Sequence, residues 1–82
     1  MKNARIHVRN NSTGTLVLIS EPSANQYSIE PGARVEISID HEGEMHGAEI
    51  EITDRYVIFF APSESTVTIL ADGIELEPSL QT

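Results

Sequence analysis

Arg34-Val35-Glu36-Ile37-Ser38-Ile39-Asp40 is the stretch that decides the fold. Three branched aliphatic side chains alternate in it with charged or hydroxyl-bearing ones. A side chain changes face at each step of a strand, so this period of two gathers Val35, Ile37 and Ile39 on one side and the polar residues on the other. The stretch reads as a half-buried strand with one face in a core.

Working toward the N-terminus, Pro31-Gly32 supplies a fixed φ and a left-handed position, the chemistry of a tight turn after a short strand over 26–30. Residues 15–21 are apolar on both faces at Leu16-Val17-Leu18-Ile19, which predicts a central strand covered from two sides. Ile6 and Val8 alternate with Arg5, His7 and Arg9, and Asn10-Asn11-Ser12-Thr13-Gly14 reads as the turn of a hairpin joining these two segments. His7 falls on the outer, solvent side of the first strand.

Toward the C-terminus, 41–47 is a polar loop, and Ile50 and Ile52 then alternate with Glu49, Glu51 and Thr53. Asp54-Arg55 turns the chain into Tyr56-Val57-Ile58-Phe59-Phe60, a run that reads as a strand buried on both faces. After a loop over 61–65 comes a strand at 66–71, and Asp72-Gly73 is a two-residue hairpin signal before 74–77. The expectation is a single all-β domain over 1–77 with 78–82 a loose tail. It has about seven or eight short strands, mainly antiparallel because the connections are short, in a small sandwich or jelly-roll-like barrel.

Composition agrees with this and narrows the function. Val, Ile and Thr number 21 against 11 for Ala plus Leu, a balance that fits pleated surfaces better than helices. At 82 residues the core is small, since such chains bury only about 60 to 65 % of the surface they expose when unfolded. Thirteen acidic and five basic side chains give a net charge of -8, which opposes a phosphate backbone and an anionic membrane surface. Cysteine is absent, excluding disulfides, thiolate metal sites and a cysteine nucleophile. The segment from Met1 to Arg5 enters directly into alternation without the apolar stretch of a secretory signal, so a cytoplasmic, soluble protein is expected.

The densest chemistry is Asp40-His41-Glu42-Gly43-Glu44-Met45-His46. His41, Glu42, Glu44 and His46 are nitrogen and oxygen donors that could bind a transition metal, but a loop does not hold ligand geometry, and the expected state is a solvated loop. Laid on a calcium loop, Asp40, Glu42, Glu44 and Glu51 fit positions one, three, five and twelve, yet Met45 stands where a glycine is required and strands flank where helices should. Glu49 and Glu51 share a strand face about 6.5 to 7 Å apart, a spacing compatible with paired-carboxylate chemistry, but alternating glutamates opposite a core face, here that of Ile50 and Ile52, are the ordinary polar side of a small sheet. No nucleophile elbow or glycine-rich phosphate loop occurs. Neither catalytic nor cofactor-binding nor metal residues are assigned, and no enzyme is expected.

The turn pattern Asn10-Asn11-Ser12-Thr13-Gly14, Glu21-Pro22, Tyr27-Ser28-Ile29-Glu30-Pro31-Gly32 and Asp72-Gly73 resembles that of short, loosely cupin-like bacterial all-β proteins over residues 5–77. The resemblance implies a barrel-like β fold and brings no activity with it. Cupin enzymes carry His-x-His with a following glutamate and a further histidine; this chain has no His-x-His.

The reading that follows is a non-enzymatic structural or protein-interaction module, acting on a partner protein or on itself as a homodimer through a sheet edge or face. The alternative is a small-molecule or metal-binding cupin-like module using the loop at 40–47. If one face of the Tyr56 to Phe60 run is uncovered, that patch is the partner or dimer site.

Overall fold

Every alternating segment becomes a strand in the computed structural model, which describes residues 1–79. In chain order the strands are β1 (Lys2–Arg9), β2 (Leu16–Glu21), β3 (Asn25–Ile29), β4 (Arg34–His41), β5 (Glu49–Ile52), β6 (Tyr56–Phe60), β7 (Ser65–Ala71) and β8 (Ile74–Glu75). They form two four-stranded sheets, ordered β1-β4-β7-β8 and β3-β2-β6-β5, packed as a sandwich. No helix occurs among the described residues.

The core lies where the pleat directs it. Val35, Ile37 and Ile39 of β4 and Ile69 of β7 point inward from the first sheet; Leu18, Tyr27, Ile29, Val57 and Phe59 meet them from the second. Full burial of such a side chain stabilises by about 1.5 to 3 kcal/mol, so this short roster carries most of the hydrophobic stabilisation of a small domain.

Pairing follows the expected antiparallel pattern with one exception. β2 and β6 run parallel, with Leu18 opposite Val57 and Ser20 opposite Phe59. The short connections that argue against parallel strands join sequence neighbours, whereas residues 22–55 separate β2 from β6 and leave room for a visit to the other sheet. The hairpins at Asp54-Arg55 and Asp72-Gly73 form as expected, closing on Ile52 opposite Val57 and on Ala71 opposite Ile74.

The hairpin expected at 10–14 does not form. β1 pairs with β4, and β2 pairs with β3 and β6, so this turn carries the chain from one sheet to the other. Asn10, only 1 % exposed, holds the crossing. Its Nδ2 donates to the carbonyls of Gly14 and Ile29, both at 2.8 Å, while its Oδ1 accepts from the Ser12 amide at 3.0 Å and the Ser12 hydroxyl at 2.6 Å. Its backbone is held too, by Asn10 N donating to Ala33 O at 2.9 Å and Gly32 N donating to Asn10 O at 2.7 Å. The Pro31-Gly32 turn is a second passage between sheets, with Gly32 at φ +82°.

Two flanks of the sandwich differ. After β8 the chain runs from Leu76, whose amide bonds Ile69 O, to Ser79, whose amide donates to Gln26 O of β3 at 2.6 Å, and so straps the first sheet to the second. Of the tail expected over 78–82, residues 80–82 lie outside the described residues. On the opposite flank β1 and β5 are the edge strands, and an open cleft lies between Ile6 and Val8 of the one and Ile50 and Ile52 of the other.

Candidate interaction surface

The same pleat that fills the core decides what each outer face shows. On the first sheet it is polar: Arg5, His7 and Arg9 of β1 stand beside Ser38, Glu36 and Arg34 of β4. His7 Nε2 lies 3.0 Å from Glu36 Oε1, and Arg5 Nη1 lies 3.9 Å from Glu36 Oε2. His7 is thus on the outer side of β1, where the alternation puts it.

On the second sheet the outer face is apolar at its centre. Val17 and Ile19 of β2 lie directly across the parallel ladder from Tyr56 and Ile58 of β6, and Phe60 completes the row. Tyr56 is 42 % exposed, and Val17, Ile19, Ile58 and Phe60 are each partly exposed. The borders are polar. Phe60 lies between Glu21 and Glu49, Ile58 has Glu51 on its far side, and the β3 edge contributes Gln26 and Ser28. Tyr56 is fixed at the head of the stripe by the turn, where Thr53 N donates to Tyr56 O at 2.9 Å and Tyr56 N donates to Thr53 Oγ1 at 3.2 Å.

This corrects two expectations. Neither residues 16–19 nor Tyr56 to Phe60 are buried on both faces; only Leu18, Val57 and Phe59 are fully inside. Two four-stranded layers enclose one interior, so an apolar outer row has no third layer to cover it. Chain length was the signal that could have located the patch. Eighty-two residues are enough for two sheets and too few for a third layer, and segments apolar on both faces must then display one.

A third expectation also fails. Ile50 and Ile52 alternate as if facing a core, and they do point toward the interior side, but they are 42 % and 75 % exposed. They line an open cleft of about 430 Å³ whose other wall includes Ile6 and Val8 of β1. β5 pairs only with β6, so no strand beyond it shields that row.

The loop at 40–47 does not assemble its donors. His41 Nδ1 lies 3.1 Å from Gly43 O, His46 Nε2 lies 3.1 Å from Glu44 Oε2, and Glu42 lies 3.8 Å from the N-terminal amine of Met1. Each imidazole is engaged locally and separately, because β4 and β5 belong to different sheets and the loop is a crossing rather than a hairpin. Asp40 accepts from Asn3 Nδ2 at 2.9 Å, and Glu51 stands on the outer face of β5. Among the described residues no three His, Asp or Glu side chains are placed to share a metal ion. Glu49 and Glu51 border the apolar stripe, beside Phe60 and Ile58.

No protein-family profile matches the chain, and neither a curated protein nor a solved structure matches it.

Proposed function

We propose that the chain is a non-enzymatic protein-interaction module that docks a partner protein on the outer face of its second sheet. One observation carries this: Val17, Ile19, Tyr56, Ile58 and Phe60 form one contiguous apolar row on two hydrogen-bonded neighbours, with carboxylates at its border. Apolar centres with polar rims, enriched in aromatic side chains, are the usual anatomy of a protein-binding patch. The fitting partner is apolar where it meets Ile19 and Ile58 and carries arginine or lysine where it meets Glu21, Glu49 and Glu51. A rigid sheet presents these side chains without ordering cost, which favours a preformed docking face.

The test is comparative capture with immobilised full-length chain, followed by purification of the retained protein and titration against variants. Tyr56→Glu and Ile19→Glu are expected to abolish retention, and Thr68→Glu on the outer face of the first sheet to leave it intact. A partner held equally by all three variants would overturn the assignment.

A further inference from the structure

We propose that the open flank between β1 and β5 is the contact between two copies of this chain, β1 of each pairing with β5 of the other. This surface adjoins the docking face on the second sheet, sharing Glu49 and Glu51 of its border, but leaves the apolar row of Val17, Ile19, Tyr56, Ile58 and Phe60 outside the contact. β1 and β5 are the edge strands on one side of the sandwich, one from each sheet, and each presents unpaired backbone groups there. A two-fold axis lying between the layers and along the strands brings the first sheet of one copy into line with the second sheet of its partner. The β1–β5 contact then forms twice, and the assembly is closed by its two-fold axis as two eight-stranded sheets, each ending in β8 of one copy and β3 of the other.

Charge selects this pairing over its competitors. Three of the five cationic side chains, Lys2, Arg5 and Arg9, belong to β1, as does His7, while β5 carries Glu49 and Glu51. Joining β1 to β1 would set arginines against arginines, and joining β5 to β5 would set glutamates against glutamates. Only β1 with β5 sets opposite signs side by side. Arg9 makes no ion pair among the described residues and faces Arg34 across the ladder, so a glutamate arriving at the free side of β1 meets an unanswered cation. The pleat makes the inner faces agree as well. When the outer rows of the two edge strands are joined, Ile6 and Val8 come beside the partner's Ile50 and Ile52, and the exposed isoleucines that the monomer leaves in its cleft become core.

Sedimentation velocity on the full chain over a micromolar concentration series tests this. The expected species is a dimer that dissociates as salt rises. Ile52→Glu, at a position 75 % exposed in the single chain, is expected to give a folded monomer by far-ultraviolet circular dichroism. Arg5→Glu with Arg9→Glu is expected to weaken the dimer by roughly tenfold or more, and the combination with Glu49→Arg and Glu51→Arg to restore it. Tyr56→Glu, on the docking face, is expected to leave the mass unchanged. A monomer at every concentration, a dimer indifferent to Ile52→Glu, or a failure of the charge swap to restore association would overturn the proposal. Loss of the dimer in Tyr56→Glu but not in Ile52→Glu would overturn it too, and would assign self-association to the sheet face instead.

Discussion

Asn10 donates its side-chain amide to the carbonyl of Ile29 at 2.8 Å, joining the residue that follows β1 in one sheet to the end of β3 in the other. A buried asparagine offers two donors and one oxygen with two lone pairs, and all four positions are used here. Because both acceptors of the amide are carbonyls, no acidic or apolar side chain can replace it. Asn10→Ala is expected to cost about 2 to 3 kcal/mol, within the range for groups that lose their partners inside a protein. Asn10→Asp should cost at least as much, since a carboxylate would face two carbonyl oxygens. Urea unfolding at constant slope measures both, against a total of about 4 to 12 kcal/mol for a domain of this size.

The strands were legible because alternation is local. Val35, Ile37 and Ile39 specify their own face, and Asp72-Gly73 specifies its own hairpin, without reference to distant residues. Sheet membership was not, since the cluster at 10–14 has the residues of a hairpin turn and of a crossing alike, and only the buried side chain of Asn10 distinguishes them. The parallel pairing of β2 with β6 depends on a route through another sheet, which no local pattern encodes. For the docking face, the apolar identity of Val17, Ile19, Ile58 and Phe60 was plain from the sequence; what hid their exposure was that a doubly apolar run reads the same whether or not a third layer lies above it. Ile50 and Ile52 were misplaced for the related reason that alternation shows which way a side chain points and not whether anything stands opposite.

Two glycines separate conformational need from mere turn membership. Gly73 sits at φ +79° after Asp72 at φ 52°, the paired left-handed conformation of a tight two-residue hairpin. Gly73→Ala should lower stability by about 1 kcal/mol or more, the cost of forcing a β-carbon into that region. Gly14 lies outside the left-handed region and has open space where a β-carbon would go, so Gly14→Ala should be neutral or stabilise by about 0.5 kcal/mol through the unfolded chain. Thermal melts of the two variants in parallel check the sign of each.

Arg34 stands opposite Arg9 with no acidic partner among the described residues, and like charges directly across a ladder repel. Arg34→Glu should therefore stabilise the fold by about 0.5 kcal/mol in dilute buffer, and the gain should shrink as salt screens it. The discriminating measurement is the difference in urea midpoint between variant and parent at low and at high ionic strength. A gain independent of salt would mean the two guanidinium groups do not oppose each other.

Phe59 and Phe60 are consecutive and of one chemical type, yet they lie on opposite sides of β6. Phe59 is fully buried opposite Ser20, whereas Phe60 lies in the outer row between Glu21 and Glu49. Phe59→Ala should cost about 3 to 5 kcal/mol, a large share of the stability of a domain with so small a core. Phe60→Ala removes a ring that is already partly in water and leaves no enclosed cavity, so its cost should stay near about 1 kcal/mol. The conservative pair Phe59→Leu and Phe60→Leu preserves the ordering at smaller amplitude and keeps both proteins folded for measurement. Equal destabilisation of the two leucine variants would mean the outer row of the second sheet is covered after all, and would remove the surface on which the proposed docking depends.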